Sequence, residues 1–222
     1  YRAADAVTVL SADLEGNITA KVAGLDRPPV VETIPNFVDT DNLRPLDRLT
    51  EYRREHRLGN RTVVMYAGNL GHSQSLDLVV EAARRHQNRD DLVYVINGGG
   101  VRAEEIAAEA GGLQNLIVIG YQPFERLAEV LATGDIHVVP LRTGLASASV
   151  PSKAYSTMAA GRPIIASVDQ DTEVALMVAN ADAGLAVPPD DPDAFTAAVE
   201  YLAGDVELRT RMGVNARAWA EK

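Results

Sequence analysis

From residue 62 onward the chain alternates short apolar runs with longer stretches whose apolar residues recur at helical spacing. The runs at residues 62–66, 92–96, 116–119, 136–140, 163–166 and 184–187 predict strands. Between them, residues 75–85, 103–110, 125–132, 152–160 and 172–180 predict helices, and two more, 193–203 and 207–220, close the chain. In the first of these helices Leu76, Val79, Val80 and Ala83 fall on one face. Strands that are apolar throughout, each followed by a helix, imply a parallel sheet covered on both faces with right-handed crossovers. The pattern predicts a doubly wound, Rossmann-like α/β domain over residues 36–222. Ligands of such sheets lie beyond the carboxyl ends of the strands, near the point where strand order reverses. The loops after the first four strands are therefore the places to look for function.

The first 35 residues do not fit this alternation. They predict one strand (6–10), a helix (13–22) with Ser11 as N-cap, and a second extended segment (28–33). A loop begins at Ile34-Pro35-Asn36, a turn-rich join covers 42–45, and an Arg-rich helix is expected over 46–55. One strand, one helix and another strand cannot bury their own faces, so residues 1–35 read as the tail of a preceding α/β unit. The strand at 6–10 lacks sheet neighbours. It should be poorly ordered, or packed against this domain or another copy of the chain. Tyr1 is not an initiator Met, and Lys222 falls inside a helical run, so both ends read as cuts.

Composition narrows the function. The 222 residues are 46% hydrophobic, enough for one sizeable core. A formal net charge of −10 argues against a nucleic-acid partner, which favours a basic face. An anionic ligand would have to be held locally. The absence of cysteine removes thiol chemistry and Cys-based metal sites, and suits a cytosolic protein. No apolar run is long enough to span a bilayer. The four histidines do not cluster. His56 and His86 lie in polar helical runs and are expected to be solvated, His137 alternates into a core strand, and only His72 lies in a candidate loop. No metal site is visible.

Three loops carry candidate chemistry. Gly68-Asn69-Leu70-Gly71-His72-Ser73-Gln74 follows the first strand. Its glycines would let the backbone approach a ligand, and the next helix N-terminus could face a phosphate, although an ordinary tight turn needs the same residues. Gly98-Gly99-Gly100-Val101-Arg102-Ala103 resembles a dinucleotide fingerprint, but it follows the second strand, and no acidic residue ends the next one, where Ile119-Gly120-Tyr121-Gln122 stands. That speaks against a nicotinamide or flavin cofactor. After the fourth strand, residues 140–151 lead into Pro151-Ser152-Lys153. Proline suits a first helical turn, whereas a lysine there opposes the helix dipole. A bound anion, with Ser147, Ser149 and Ser152 alongside, would account for Lys153; the alternative is a solvated side chain.

Five stretches together resemble the retaining glycosyltransferases of family 4, which have the GT-B fold. They are IPNFVDTDNLRP (34–45), YAGNLG (66–71), NLIVIGYQPFERLAEVLATGDIHVVP (115–140), PSKAYSTMAAGRPIIAS (151–167) and AGLAVPPDDPDAF (183–195). Their order along nearly the whole chain is more specific than any one of them. The branch resembled most builds bacterial surface polysaccharides. The resemblance implies that residues 36–222 bind the nucleotide sugar and that residues 1–35 are a remnant of the acceptor-binding N-terminal domain with its linker. It implies backbone contacts to the base at Gly120, Tyr121 and Gln122. It places the phosphates over Gly68, Asn69, Leu70 and Gly71 and at Ser152 and Lys153, with Gln74, Gly98, Ser149 and Ser156 nearby.

Two departures stand out. The family's paired glutamates align with Ala148 and Ser156, and its phosphate-binding Arg and Lys fall near Asn69 and Gln74, so both carboxylates and both cations are missing. The reading that follows is a hexose-type transfer from a UDP-sugar to a polysaccharide or lipid-linked acceptor. It needs no metal or cofactor, and its catalytic groups lie largely outside this chain. The parent would be cytoplasmic, at the inner face of the membrane or peripheral to it. This chain alone would bind but not transfer. A nucleotide-sugar epimerase and a non-catalytic nucleotide-sugar sensor are the alternatives.

Overall fold

The computed structural model describes residues 1–145 and 149–222. Its main sheet has six parallel strands: β3 (Thr62–Asn69), β4 (Leu92–Gly99), β5 (Leu116–Ile119), β6 (Ile136–Pro140), β7 (Ile164–Ser167) and β8 (Gly184–Val187). Their spatial order is β5-β4-β3-β6-β7-β8. Order reverses between β3 and β6, the crevice where doubly wound sheets bind ligands. Helices α3 (Asp77–Arg85), α4 (Ala103–Glu109), α5 (Leu127–Thr133), α6 (Lys153–Ala159), α7 (Glu173–Asn180), α8 (Pro192–Ala203) and α9 (Val206–Ala220) cover it. Both faces carry cores: Tyr66, Ile96, Val138 and Phe195 belong to one cluster, and Met65, Val93 and Val95 to another, as strand alternation requires. Asp191 caps α8, its carboxylate accepting from the Asp193 and Ala194 N–H groups, a cap worth about 1 kcal/mol. Among the described residues no helix is long and apolar enough to cross a membrane.

Residues ahead of this sheet form a separate pair of parallel strands, β1 (Ala6–Val9) and β2 (Val30–Thr33), joined by α1 (Ala12–Val22). Ser11 caps α1, accepting from the Leu14 N–H at 3.3 Å. Asp13 accepts the Glu173 N–H at 3.1 Å, and Leu14 packs on the core around Val139 and Val174. The strand at 6–10, expected to lack sheet neighbours, pairs with β2 instead, and the segment meets the domain through α1 rather than through that strand.

Three expectations need correction. The helix expected over 46–55 is only α2 (Glu51–Glu55), capped by Thr50, because Arg48 leaves the helical path to reach Asp135. Although Arg-rich, it buries Tyr52 and Arg53. Strands β3 and β4 each run three residues past their apolar stretch, so Gly68, Asn69, Gly98 and Gly99 are strand residues paired in register. A Cβ on Gly98 would lie 1.8 Å from the Gly68 carbonyl oxygen. The glycine there permits close strand approach. Finally, His86 is buried, its ring nitrogens sharing hydrogen bonds with the Tyr94 hydroxyl at 2.7 Å and Glu200 at 3.0 Å.

His137 is a core residue as expected, its Nε2–H donating to the Leu131 carbonyl at 2.8 Å. Burial pulls its pKa down to about 4. The unfolded chain, with an imidazole near 6.5, takes up a proton that the folded chain refuses. Stability is therefore complete above pH 6.5 and declines as pH falls toward 4, by on the order of 2 kcal/mol at pH 5. Urea denaturation at pH 7.5 and pH 5 measures the loss. A His137→Asn variant that retained the same pH dependence would exclude this histidine as its source.

Candidate nucleotide-binding site

The carboxyl ends of β3, β4, β5 and β6 meet at one edge of the sheet, where two cavities lie side by side. One, of about 250 Å³, is walled by Ala67, Asn97, Tyr121, Gln122, Phe124 and Leu131. The other, of about 320 Å³, is walled by Asn69, Gln74, Pro140, Ser149, Pro151 and Ser152. Gly68, Lys153 and Ser156 border both.

Lys153 opens α6 and folds back over β3. Its Nζ donates to the Tyr66 hydroxyl at 2.9 Å and stands 4.6 Å from the centre of the Tyr66 ring, in cation–π geometry. The Tyr66 hydroxyl donates in turn to the Asn69 carbonyl at 2.5 Å. Tyr66 and Gly68 are two apart on one strand and share a face. A Cβ on Gly68 would lie 3.0 Å from Lys153 Cε, so glycine there leaves room for the lysine stem. Burial lowers the Lys153 pKa to about 8. Among the described residues no carboxylate forms an ion pair with it. A half-buried ammonium without a counterion, at the junction of two cavities, is suited to an anion. The lysine is not the solvated side chain of the bland alternative.

The loop after β3 spends much of its polarity on itself. The Leu70 N–H donates to the Gly99 carbonyl, and its own carbonyl accepts from the Arg102 N–H, while its side chain lies in the core. The Gly71 N–H donates to Gln74 Oε1 at 3.0 Å. The start of α3 already holds a negative group, Asp77, bonded by Arg102 and Arg142 at 2.7 Å each. Leu70, Gly71 and Gly98 are buried, whereas Asn69, Gly120, Tyr121, Ser149 and Ser152 are exposed. After β5, the Tyr121 ring covers Gly99, and Gln122 Nε2 donates to the Gly120 carbonyl at 3.2 Å. Ser156 faces both cavities. Ser147 and Ala148 lie outside the described residues.

Sequence reasoning missed Tyr66, Asn97 and Phe124. Tyr66 had a usable signal: a polar-tipped ring two residues before a glycine, on the same strand face. Asn97 accepts the Tyr52 hydroxyl at 2.6 Å, a contact between elements 45 positions apart that no local pattern announces. Phe124 begins a short 3-10 turn before α5 and is 82% exposed at the cavity mouth. Among the described residues no group of three His, Asp or Glu side chains is arranged to hold a metal ion.

The sheet is doubly wound, and among the described residues Lys153 stands at its switch point, between the two cavities, without an ion pair. The family described as Glycosyl transferases group 1 matches residues 61–205, and the chain belongs to it. The putative colanic acid biosynthesis glycosyl transferase WcaI of Escherichia coli is 29% identical over 166 residues, covering 73% of this chain and 40% of that protein. Sucrose-phosphate synthase from Thermosynechococcus elongatus superposes with a TM-score of 0.78 at 21% identity, over 99% of this chain and 54% of that one. Anabaena HepE in complex with UDP-glucose gives 0.76 at 16% identity, over 98% and 59%. The fold is that of the GT-B glycosyltransferases. The chain spans about half the length of these proteins.

Proposed function

We propose that this chain is the donor-binding half of a retaining glycosyltransferase that moves a hexose-type sugar from a UDP-sugar to a polysaccharide or lipid-linked acceptor. The observation that carries the reading is Lys153, poised between the two cavities without a carboxylate partner. In this reading the base occupies the chamber beside Tyr121 and Gln122, and the diphosphate lies at Lys153 and Ser152. As the sugar–phosphate bond breaks, negative charge grows on the departing diphosphate. The Lys153 ammonium stabilises that charge from a fixed position, so little reorganisation is needed at the moment of reaction. Support for the donor class comes from HepE, crystallised with UDP-glucose, and for the pathway class from WcaI, named for colanic acid biosynthesis.

Calorimetric titration with UDP, GDP, ADP and dTDP tests the reading. UDP should bind most tightly, and failure of all four to bind would overturn it. Ser156, where the family has a glutamate, keeps the non-catalytic sensor reading in play. Turnover of a UDP-sugar by the intact protein separates the two.

A further inference from the structure

At the opposite edge of the sheet, where the strands begin, lies a larger cavity of about 590 Å³. Thr62 starts β3 there, Asp135 immediately precedes β6, and Pro163 immediately precedes β7. Strand β3 alone separates the two edges by roughly 23 Å, so no ligand of the Lys153 cleft reaches this one.

Arginines from separate parts of the chain converge on this cavity: Arg48 before α2, Arg162 in the turn between α6 and β7, and Arg209 and Arg217 on α9. Arg217 is satisfied by Glu221 at 2.6 Å and by backbone carbonyls. Asp135 is shared, accepting from Arg48 at 2.6 Å and from the buried Arg53 at 3.2 Å. Arg162 and Arg209 are different. Among the described residues neither forms an ion pair. Arg162 donates through Nη2 to the Leu46 carbonyl at 2.7 Å, and Arg209 through Nη1 to the Leu202 and Ala203 carbonyls at 2.5 and 2.8 Å. The Arg162 Nε is buried with no hydrogen-bond partner.

Four guanidiniums, Arg48, Arg53, Arg162 and Arg209, thus share the charge of the Asp135 carboxylate, while Glu221, which also lines the cavity, is taken by Arg217. Asp47 and Asp205 add weaker negative charge to Arg162 and Arg209 respectively. Burial pulls both of those guanidiniums below the usual arginine range. Partly desolvated cations that form no direct ion pair are costly. Arginine is also the side chain whose planar fork matches phosphate oxygens two at a time.

We propose that this cavity is a second anion site, distinct from the Lys153 cleft, that takes a phosphate monoester or diphosphate group through Arg162 and Arg209. The group belongs either to a free phosphate compound or to a phosphomonoester lipid headgroup, which present the same chemistry. The site does not depend on the donor reading above and can fail separately from it.

The test is isothermal titration with pyrophosphate at low ionic strength, using the chain with Lys153→Ala so that the other cleft is silenced. Pyrophosphate should still bind. Adding Val214→Glu should weaken it by about tenfold or more, the effect of one lost or opposed charge contact. Val214 lines the cavity from α9 but is 63% exposed, so the added carboxylate repels the anion without removing any buried bond. Arg162→Gln should act in the same direction. Sedimentation with phosphatidylcholine vesicles, with and without phosphatidic acid, distinguishes the source. Binding to phosphatidic acid that Val214→Glu abolishes, without affinity for pyrophosphate, assigns the headgroup. Pyrophosphate binding that vanishes with Lys153→Ala and ignores Val214→Glu, with no vesicle binding, overturns the proposal.

Discussion

Lys153→Ala should weaken UDP binding by about tenfold to a hundredfold. Hydrogen bonds to charged groups are worth roughly 1.5–3 kcal/mol, and each 1.4 kcal/mol is a decade in affinity. The family's cations after the first strand are replaced here by Asn69 and Gln74, and Gln74 is occupied by the Gly71 N–H. The burden therefore falls on Lys153. Because burial places its pKa at about 8, the charged form declines as pH rises through that value. UDP affinity should be level below pH 7, fall toward pH 9, and lose this fall in Lys153→Ala. Stability should move differently. A lysine whose pKa is lower folded than unfolded costs stability at neutral pH, a cost relieved as pH rises from 8 toward its unfolded value. The variant should accordingly fold as well as or better than the parent, a known tension between binding sites and stability. Calorimetry and thermal melts across pH check both parts. An unchanged dissociation constant would sink the assignment of Lys153.

Asp135→Asn should cost about 3–5 kcal/mol, the usual loss when one partner of a buried ion pair is removed. Asp135 is 7% exposed and accepts from Arg48 at 2.6 and 2.9 Å, from Arg53 at 3.2 Å and from the Val63 N–H at 2.8 Å. Burial pushes its pKa up, but the Arg48 and Val63 hydrogen bonds and the Arg53 charge outweigh burial and hold it below the ordinary value. Its contribution is thus present above the unfolded carboxylate range near pH 4 and lost as pH falls below it. Arg53 is 2% exposed, and in the variant its charge would face only neutral acceptors, the carbonyls of Gly59, Arg61 and Thr133 and the new side-chain amide. Urea denaturation at pH 7 measures the change. A loss under about 1 kcal/mol would mean that those carbonyls suffice for Arg53 without a carboxylate.

The contrast between Lys153 and Arg53 shows where sequence reading reached. Lys153 was legible because a lysine in the first turn of a helix is locally out of place, whatever the rest of the fold does. Arg53 stood out only as one arginine of an Arg-rich helix, because its partners Gly59, Arg61, Thr133 and Asp135 are assembled by packing and leave no periodic trace. The same holds for His86, whose partner Glu200 lies 114 positions away. The glycines after β4 misled in another way. Gly98-Gly99-Gly100 has the spacing of a ligand loop, yet Gly98 is required by the backbone of the neighbouring strand.

By itself the sequence determined the class of fold and the order of strands and helices along the chain. Both follow from local periodicity: apolar runs make buried parallel strands, helical spacing makes their crossovers, and chirality sets the hand. Only the tertiary structure decided which polar groups meet. It seated Lys153 on Tyr66, tied Leu70 to Gly99 and Arg102 and Gly71 to Gln74, and brought arginines from residues 48, 53, 162 and 209 within the influence of Asp135. Those contacts join residues far apart along the chain, and their energies depend on burial, which exists only once the sheet and its helices have packed.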